Sequence, residues 1–565
     1  MRRPCSLLAL SLLAVTLTDA QTHNTPLQHV IVIVQENRTP TNLFGNDTSL
    51  VSAGFHLATT ELCGTQTITP TSYQLDACFS ASHAHQAWVT AYHKGKLNEF
   101  CAISSGVNNC TPQQQVGIPT CTVNNQQVLC PEYTYVDNST GLLNPYFQLA
   151  AQYGFANYMF QTNQGPSFPA HQFLFSGTSA PVAYPTPFYD WFLAENNASG
   201  GGYGCTAVNG TVIKEVSPSG TEAAGYTPPD PPSANAGFPC YDHNTLVDLF
   251  GPLGAPTITW KYYGTSAGSL WMAPNAIDHI CKPSGFAGTC MGAPWKNGNV
   301  STNPPDVLSD LGVNGTGPSS CNLPQVTWVT PDGHWSDHPG TVGHDGGPSW
   351  VSAIVNAVGG YDNSGKLLSP ANGNGYNCGY WPNTAILVTW DDWGGFFDDI
   401  DPVATMSRDG NQTGGYPGTC TAGVCNGTHY VYGFRVPLLV VSPYAKAGYI
   451  SGGGIYPPTC PSSYCHDFGS ILNFIEYVFG TNGNSLGTIG PSQWPYADFF
   501  AQDTGPAPNN YSLYDFFDFK GQIRTFTPIT SGVKYQDNCF FSPRGPGCFT
   551  SFVPAAPDDD SDDIE

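Results

Sequence analysis

HVIVIVQEN, at residues 29–37, is a run of β-branched residues that ends in a cluster of oxygen-bearing side chains. A second run, NTAILVTWDD at residues 383–392, has the same form. Short runs of this kind are typical of buried strands in a parallel sheet that is covered on both faces. In such sheets, ligands bind beyond the carboxyl ends of the strands. The side chains that end the two runs are therefore expected to converge on one hard cation: Glu36, Asn37, Asp391 and Asp392.

Strand-like runs alternate with helical patterns along the chain, which predicts an α/β fold with a central, largely parallel sheet flanked by helices. Further strands are expected at 256–263, 325–329 and 436–442, and helices at 144–158, 350–358 and 470–479. Segments rich in Gly, Pro and Asn lack periodicity and are interpreted as long loop insertions, at about 196–240, 296–322 and 404–430.

The composition disfavours two classes of function. The chain has 565 residues and a formal net charge of −24, with only 17 lysines and arginines. Nucleic-acid binding requires a basic surface, so it is not expected. Electrostatic docking to anionic lipid is disfavoured for the same reason.

The N-terminus has the pattern of an export signal. Arg2 and Arg3 precede an apolar stretch from Leu7 to Leu17, and small residues follow, which predicts a signal peptide over residues 1–20. The stretch is too short to span a bilayer. We therefore expect a secreted or periplasmic protein whose mature chain has no transmembrane segment.

The cysteines agree with an oxidising compartment. Removal of Cys5 from the 19 cysteines leaves an even number, and no Cys-x-x-Cys motif favours a zinc site. Pairs that are close in sequence are expected to form disulfides that staple the loops: Cys101/Cys110, Cys121/Cys130, Cys281/Cys290, Cys420/Cys425, Cys460/Cys465 and Cys539/Cys548.

Three further loops carry candidate catalytic residues. Ser167 lies in a turn constrained by Gly and Pro, His83 precedes a predicted helix that extends through Gly95-Lys96, and His338 follows the strand at 325–329. A hydroxyl group needs a cation or a base beside it to act as a nucleophile at neutral pH. The predicted cation would activate Ser167 in this way.

Each of these motifs also has a structural interpretation. Glu36 and Asn37 would suit the start of a helix, and the Asp391-Asp392 pair would suit an Asx-type turn. Ser167 would serve as an ordinary turn residue, and the two histidines as hydrogen-bonded loop residues. The shared position of these segments beside buried strands favours the functional interpretation, because functional residues concentrate in such loops.

The same segments resemble the secreted phosphoesterase family of bacterial phospholipases C and acid phosphatases, which is related to the alkaline phosphatase–sulfatase superfamily. The similar stretches occur in the family's order, at residues 31–45, 82–100, 165–179, 336–340, 383–402, 433–450 and 466–480. The resemblance implies an alkaline-phosphatase-like sandwich and a single catalytic domain over residues 21–550. Residues 551–565 would form an acidic, solvated tail.

The resemblance also assigns roles to residues. Ser167 matches the family's nucleophile, which forms a phosphoserine, and the metal ligands would be Glu36, Asn37, Ser167, Asp391 and Asp392. His83, with His85 as a weaker alternative, and His338 match histidines that would bind the transferring oxygens or protonate the leaving alcohol. Oxygen-rich ligation favours Ca²⁺, Mg²⁺ or Mn²⁺, with Zn²⁺ as a further candidate.

These inferences predict a hydrolase of phosphoric esters, with a phosphate-ester substrate that includes phospholipid among the candidates. A catalytically silent binding protein on the same scaffold is the alternative, although Ser167 and the Asp391-Asp392 pair are both present. A sulfatase is less favoured, because the sulfatase-type activation motif does not surround Ser167.

Overall fold

An eight-stranded sheet contains both apolar runs. The computed structural model describes residues 23–182, 192–199, 202–216, 222–224, 237–340, 345–402, 432–456, 460–486, 503–506 and 509–531. Numbered in chain order, the strands of this sheet are β1 (His29–Gln35), β8 (Gly154–Ala156), β13 (Trp260–Tyr263), β14 (Val300–Ser301), β15 (Val326–Val329), β16 (Thr384–Trp390), β17 (Leu438–Val441) and β18 (Tyr449–Ser451). Their order across the sheet is β14-β13-β15-β1-β16-β17-β8-β18. Of these eight strands, only β17 runs antiparallel to its neighbours.

Smaller sheets and ten α-helices surround this sheet in the described ranges. The smaller sheets pair β2 (Glu61–Cys63) with β3 (Gln66–Ile68), β4 (Thr71–Tyr73) with β7 (Thr134–Val136), β5 (Thr120–Val123) with β6 (Gln126–Leu129), β9 (Met159–Phe160) with β19 (His466–Asp467), and β10 (Phe192–Ser199) with β11 (Val212–Val216) and β12 (Glu222–Ala224). The helices are α1 (Pro40–Phe44), α2 (Thr48–Ala53), α3 (His85–Tyr92), α4 (Asn144–Gln152), α5 (Ser167–Ser176), α6 (Asp278–Cys281), α7 (Ala293–Lys296), α8 (Asp306–Asp310), α9 (Gly347–Val358) and α10 (Phe468–Phe479).

Helices cover both faces of the large sheet, as the contacts of two tryptophans on β15 and β16 show. Trp328 on β15 donates a hydrogen bond from its indole nitrogen to a backbone carbonyl of α5. Trp390 on β16 packs edge-on against Tyr146 of α4. The register pairs Trp328 with Val32 and Trp390 with Gln35, and residues three apart on a strand point to opposite faces. Helices α5 and α4 therefore cover opposite faces, and the predicted α/β architecture is confirmed.

The centre of the sheet is buried. Side chains of residues 30–34 and 385–390 are at most 1% exposed. Full burial of each aliphatic side chain contributes about 1.5–3 kcal/mol relative to its exposed state. This burial fixes the register of β1 against β16, and with it the relative position of the polar residues that follow both strands.

Two predicted helices end earlier than expected. The segment predicted as one helix over residues 144–158 is helical only to Gln152, because the chain then enters β8 between β17 and β18. A Cβ atom on Gly154 would lie 2.5 Å from the ring of Phe516, so this strand position has room only for glycine. The helix predicted to extend through Gly95-Lys96 ends at Tyr92, and His93 then takes a left-handed conformation.

Two of the predicted loop insertions contain regular structure. The segment 196–240 includes most of the small β10–β12 sheet, and 296–322 includes the edge strand β14 and helix α8. These elements are too short to produce a visible periodicity, so the interpretation as pure loop was wrong for these parts. The insertion at 404–430, the signal segment 1–20 and the tail 551–565 lie outside the described residues.

Every cysteine in the described ranges forms a disulfide, which excludes thiolate zinc sites there. The predicted pairs Cys121–Cys130, Cys281–Cys290 and Cys460–Cys465 are confirmed. The predicted pair Cys101/Cys110 was wrong, because the fold brings each of these cysteines beside a more distant one, within the 4.4–6.8 Å between Cα atoms that a disulfide spans. The other observed pairs are Cys63–Cys101, Cys78–Cys110, Cys205–Cys240 and Cys321–Cys378. The predicted pairs Cys420/Cys425 and Cys539/Cys548 lie outside the described residues.

The helices of the described ranges are short, and α9 and α10 have 12 residues each. None of the helices in these ranges has the length and apolar character needed to cross a bilayer.

Candidate active site

The two acidic motifs meet at the carboxyl ends of β1 and β16. Because Gln35 pairs with Trp390 in the parallel ladder, the residues that follow both strands emerge at the same edge. The backbone N–H of Asn37 donates a hydrogen bond to Oδ1 of Asp391 over 2.9 Å. Both residues are fully buried, as are Glu36 and Asp392.

A left-handed residue and a glycine allow this close approach. Asn37 has a φ angle of 60°, and asparagine tolerates this conformation better than most residues. Gly394 has a φ angle of 61°, and a Cβ atom there would lie 2.2 Å from the carbonyl oxygen of Asn37. Position 394, two residues after Asp392, therefore requires glycine, because any side chain there would collide with the backbone of Asn37.

Ser167 completes a cluster of oxygen atoms. It is the first residue of α5 and is fully buried. Its Oγ lies 3.0 Å from Oδ2 of Asp392, 3.3 Å from Oδ1 of Asn37 and 3.4 Å from Oε2 of Glu36. A serine hydroxyl has one hydrogen, so it can donate to only one of these three oxygens. A cation among them would stabilise the other buried acceptors.

Asp391 presents one oxygen to this centre. Its Oδ1 accepts hydrogen bonds from the backbone N–H groups of Asn37 and Asp392, whereas its buried Oδ2 has no hydrogen-bond partner. An uncompensated buried carboxylate oxygen is costly. The donor set of three carboxylates, one amide oxygen and one hydroxyl fits a divalent cation.

His83 orients the amide of Asn37. The Asn37 Nδ2 group donates to Nε2 of His83 over 3.0 Å, and Nδ1 of His83 lies 3.0 Å from the carbonyl oxygen of Ala81. This pattern describes a neutral imidazole with its hydrogen on Nδ1. It turns the oxygen of the Asn37 amide toward Ser167. His85, the weaker alternative, instead stacks its ring against Trp88.

His338 lies beside His83, with the ring centroids 6.2 Å apart in an edge-on arrangement. It is half-buried, and the preceding residue, Asp337, anchors its loop. Oδ2 of Asp337 accepts hydrogen bonds from the hydroxyl of Tyr146 and the indole of Trp390. Burial raises the pKa of Asp337 to about 6. The loop is thus attached to the strand that carries the Asp391-Asp392 pair.

Strand β10 holds two of the candidate loops in place. Oδ1 of Asn196 accepts a hydrogen bond from the backbone N–H of Phe168, the residue after Ser167. Oε1 of Glu195 accepts one from the backbone N–H of His85. The start of the first predicted insertion therefore contacts the site directly.

The structure also brings a residue to the site that the sequence analysis did not single out. Nε2 of His171 lies 3.1 Å from Oε1 of Glu36 and 3.7 Å from Oδ2 of Asp391. Burial lowers the pKa of His171 to about 4, against the opposing effect of Asp391. His171 is four residues after Ser167, so one helix starting at Ser167 places both on the same face. The separation of four residues was the signal in the sequence that could have identified His171.

The sequence matches the phosphoesterase family over residues 27–369 and 372–482. The chain belongs to the phosphoesterase family. This confirms the family that the motifs predicted, whereas the alkaline-phosphatase-like placement stays a prediction.

Proteins with partial similarity to the chain include bacterial phospholipases C. The non-hemolytic phospholipase C of Pseudomonas aeruginosa is 29% identical over 170 residues, which cover 28% of this chain and 20% of that protein. The non-hemolytic phospholipase C of Burkholderia pseudomallei is 34% identical over 181 residues, covering 31% and 21%. Phospholipase C A of Mycobacterium tuberculosis is 24% identical over 295 residues, covering 50% of each protein. The chain thus spans half or less of the length of these relatives.

Proposed function

We propose that this protein is an exported, metal-dependent hydrolase of phosphoric esters in which Ser167 is the nucleophile. The family and the names of its relatives support the reaction class. The seven disulfides of the described ranges are compatible with export.

The arrangement around Ser167 carries this proposal. One hydroxyl hydrogen faces three oxygen acceptors within 3.4 Å, two of which belong to buried carboxylates. A divalent ion, Ca²⁺, Mg²⁺, Mn²⁺ or Zn²⁺, would be held by Glu36, Asn37, Ser167, Asp391 and Asp392. When bound, it supplies a Lewis acid that lowers the pKa of the serine hydroxyl.

The side chains of the site then perform the transfer. Oγ of Ser167 gives its hydrogen to the carboxylate of Asp392, 3.0 Å away, and attacks phosphorus. The bond from phosphorus to the leaving oxygen breaks, and a phosphoserine forms. The N-terminus of α5 favours the negative charge that gathers beside its first residue. Water then hydrolyses the phosphoserine and returns the serine.

The two histidines have different roles: His83 positions the amide of Asn37, and His338 acts on the leaving alcohol. Nε2 of His83 already accepts a hydrogen bond from Asn37, so His83 holds the amide beside the transferring group. His338 is half-buried and borders His83. We assign it the protonation of the leaving alcohol, a step for which imidazole is suited near neutral pH.

The substrate is a phosphate monoester or diester, with phospholipid as the diester suggested by the relatives' names. Strand β10 carries Glu195 and Asn196 against the catalytic loops. The first insertion is therefore the part of the chain expected to distinguish these substrates.

Two chromogenic substrates test the reaction class. The protein is assayed with p-nitrophenyl phosphate and with p-nitrophenyl phosphorylcholine, with and without a chelator. Cleavage of the second alone indicates a phospholipase-type diesterase, and cleavage of the first indicates a phosphatase. Activity that survives complete metal removal contradicts metal dependence, and cleavage of neither substrate favours a silent binding protein.

Paired variants on one helix test the nucleophile. Ser167→Ala is expected to lower kcat by about 10³-fold or more, because it removes the attacking atom. Ser176→Ala is the matched control, since it removes a buried hydroxyl without a hydrogen-bond partner at the other end of α5. Acid quenching during turnover should yield a peptide phosphorylated at Ser167. Undiminished turnover by Ser167→Ala would refute the assignment.

A further inference from the structure

His171 and Ser167 contact different oxygens of the same carboxylate. Oε2 of Glu36 faces the hydroxyl of Ser167, whereas Oε1 of Glu36 lies 3.1 Å from Nε2 of His171. Both the imidazole and the carboxylate are fully buried. The imidazole therefore borders the proposed cation centre from a second side.

The contacts of Tyr262 indicate which nitrogen of His171 carries the hydrogen. The hydroxyl of Tyr262 donates to the carbonyl oxygen of Trp271 over 2.6 Å. Its oxygen, 3.5 Å from Nδ1 of His171, is then available only as an acceptor for an Nδ1–H group. With the hydrogen on Nδ1, the lone pair of Nε2 points toward carboxylate oxygens. Metal-binding histidines commonly donate their second N–H to such an outer partner.

The free oxygen of Asp391 lies on the same side. Its Oδ1 is occupied by two backbone N–H groups, so only Oδ2 remains to bind a cation. This atom lies 3.7 Å from Nε2 of His171. Two ligand atoms that are each about 2.1 Å from one zinc ion are separated by roughly 3 to 4 Å. The two distances from Nε2 of His171, to Oε1 of Glu36 and to Oδ2 of Asp391, meet this condition, and one ligand atom from each of the three residues lies within 4.8 Å of the others.

We propose that Nε2 of His171 is a ligand of the divalent cation, together with Oε1 of Glu36 and Oδ2 of Asp391. A nitrogen ligand makes the centre selective for zinc or a similar transition ion over calcium and magnesium, which prefer oxygen alone. This inference rests on the proposed metal dependence and specifies the metal class of that site.

Zinc K-edge X-ray absorption on the wild-type protein tests the ligand without any substitution. The full chain is stripped of metal by a chelator and reloaded with one equivalent of Zn²⁺ alone. We expect the outer-shell scattering of an imidazole ring in the wild-type spectrum and its loss in His171→Asn. Competition with Mg²⁺ and Ca²⁺ should leave zinc as the retained ion, measured by elemental analysis.

Affinity measurements add a second readout. His171→Asn is expected to weaken zinc binding at least ten-fold and to change magnesium binding less than three-fold. Tyr262→Phe should weaken zinc binding about ten-fold by releasing the orientation of the imidazole. His29→Asn, at the opposite end of β1, is the matched histidine control and should leave zinc binding unchanged.

The possible failures are distinguishable. Bound zinc without imidazole scattering, or scattering that persists in His171→Asn, overturns the role of His171 and leaves the proposed hydrolase intact. Scattering that disappears in His83→Asn but not in His171→Asn assigns the nitrogen to the other imidazole and overturns the inference. A wild-type protein that binds none of the three ions overturns both this inference and the proposed metal dependence.

Discussion

Replacement of Gly394 by alanine should separate the two acidic motifs without touching a proposed ligand. The added Cβ atom would lie 2.2 Å from the carbonyl oxygen and 2.7 Å from the carbonyl carbon of Asn37. An alanine in the left-handed region costs about 1–2 kcal/mol. Overpacking against this backbone adds about 1–3 kcal/mol. We expect Gly394→Ala to reduce the free energy of unfolding by about 2–5 kcal/mol in total.

A second glycine isolates the steric part of this effect. Gly64 has a φ angle of 59°, close to that of Gly394, but a Cβ atom there would meet nothing within 4 Å. The excess cost of Gly394→Ala over Gly64→Ala in urea unfolding, with disulfides intact, should therefore be about 1–3 kcal/mol. Gly394→Ala should also lose phosphoesterase activity, because the displaced Asn37 lengthens its hydrogen bond to Asp391. Equal costs for the two variants, or wild-type kcat/KM in Gly394→Ala, would refute this reasoning.

Three further perturbations test the charges of the interior. Chelation at neutral pH should lower stability by about 2.7 kcal/mol relative to protein at a free metal concentration of 100 Kd; scanning calorimetry before and after adding metal back measures it. Arg435→Met should reduce the free energy of unfolding, measured in urea, by about 3–5 kcal/mol, because it leaves the buried carboxylate of Asp398 without its guanidinium partner. The double variant Arg435→Met/Asp398→Leu should recover most of this stability. Burial alone would lower the pKa of His466, but the attraction of the Asp503 carboxylate is stronger than this effect, so the pKa of His466 is raised. The stabilisation from that histidine is therefore complete below its unfolded pKa of about 6.5 and is lost as pH rises through the raised folded value. The stability difference between wild type and His466→Asn should shrink as pH increases from 6 to 9, and a constant difference would contradict the assignment.

The meeting of Glu36, Asn37 and the Asp391-Asp392 pair at one edge of the sheet was predictable, because it follows from the residue pattern of two strands alone. The runs at 29–37 and 383–392 end in polar residues, and parallel neighbours deliver such ends to one edge. The position of Ser167 did not follow from any spacing, since its loop reaches the edge from the helix layer. Its turn, constrained by Gly and Pro, made Ser167 a candidate, and the resemblance to the family matched it to the nucleophile.

Other features depended on contacts that the sequence does not encode locally. Cys101 pairs with Cys63 because β2 packs against the turn that contains Cys101, and their separation in sequence gives no indication of this. His171 was missed because its role depends on Ser167 and His171 lying on one helix, which the sequence analysis did not assume. Within such a helix, the separation of four residues places both side chains on the same face.

The charge of the whole chain explains why a cation matters at this site. A net charge of −24 opposes the approach of an anionic phosphate ester, although salt screens this repulsion beyond about 8 Å at physiological ionic strength. Binding must therefore come from short-range attraction inside the site. Three buried carboxylates meet there, and they alone would repel a phosphate strongly in a medium of low dielectric. The proposed divalent ion would offset two of these three negative charges and present a positive centre directly to the phosphate oxygens, and the neutral imidazole of His171 would bind it without adding a further negative charge. The same cluster, unfavourable by itself, would thus become a phosphate-binding centre with the proposed cation bound.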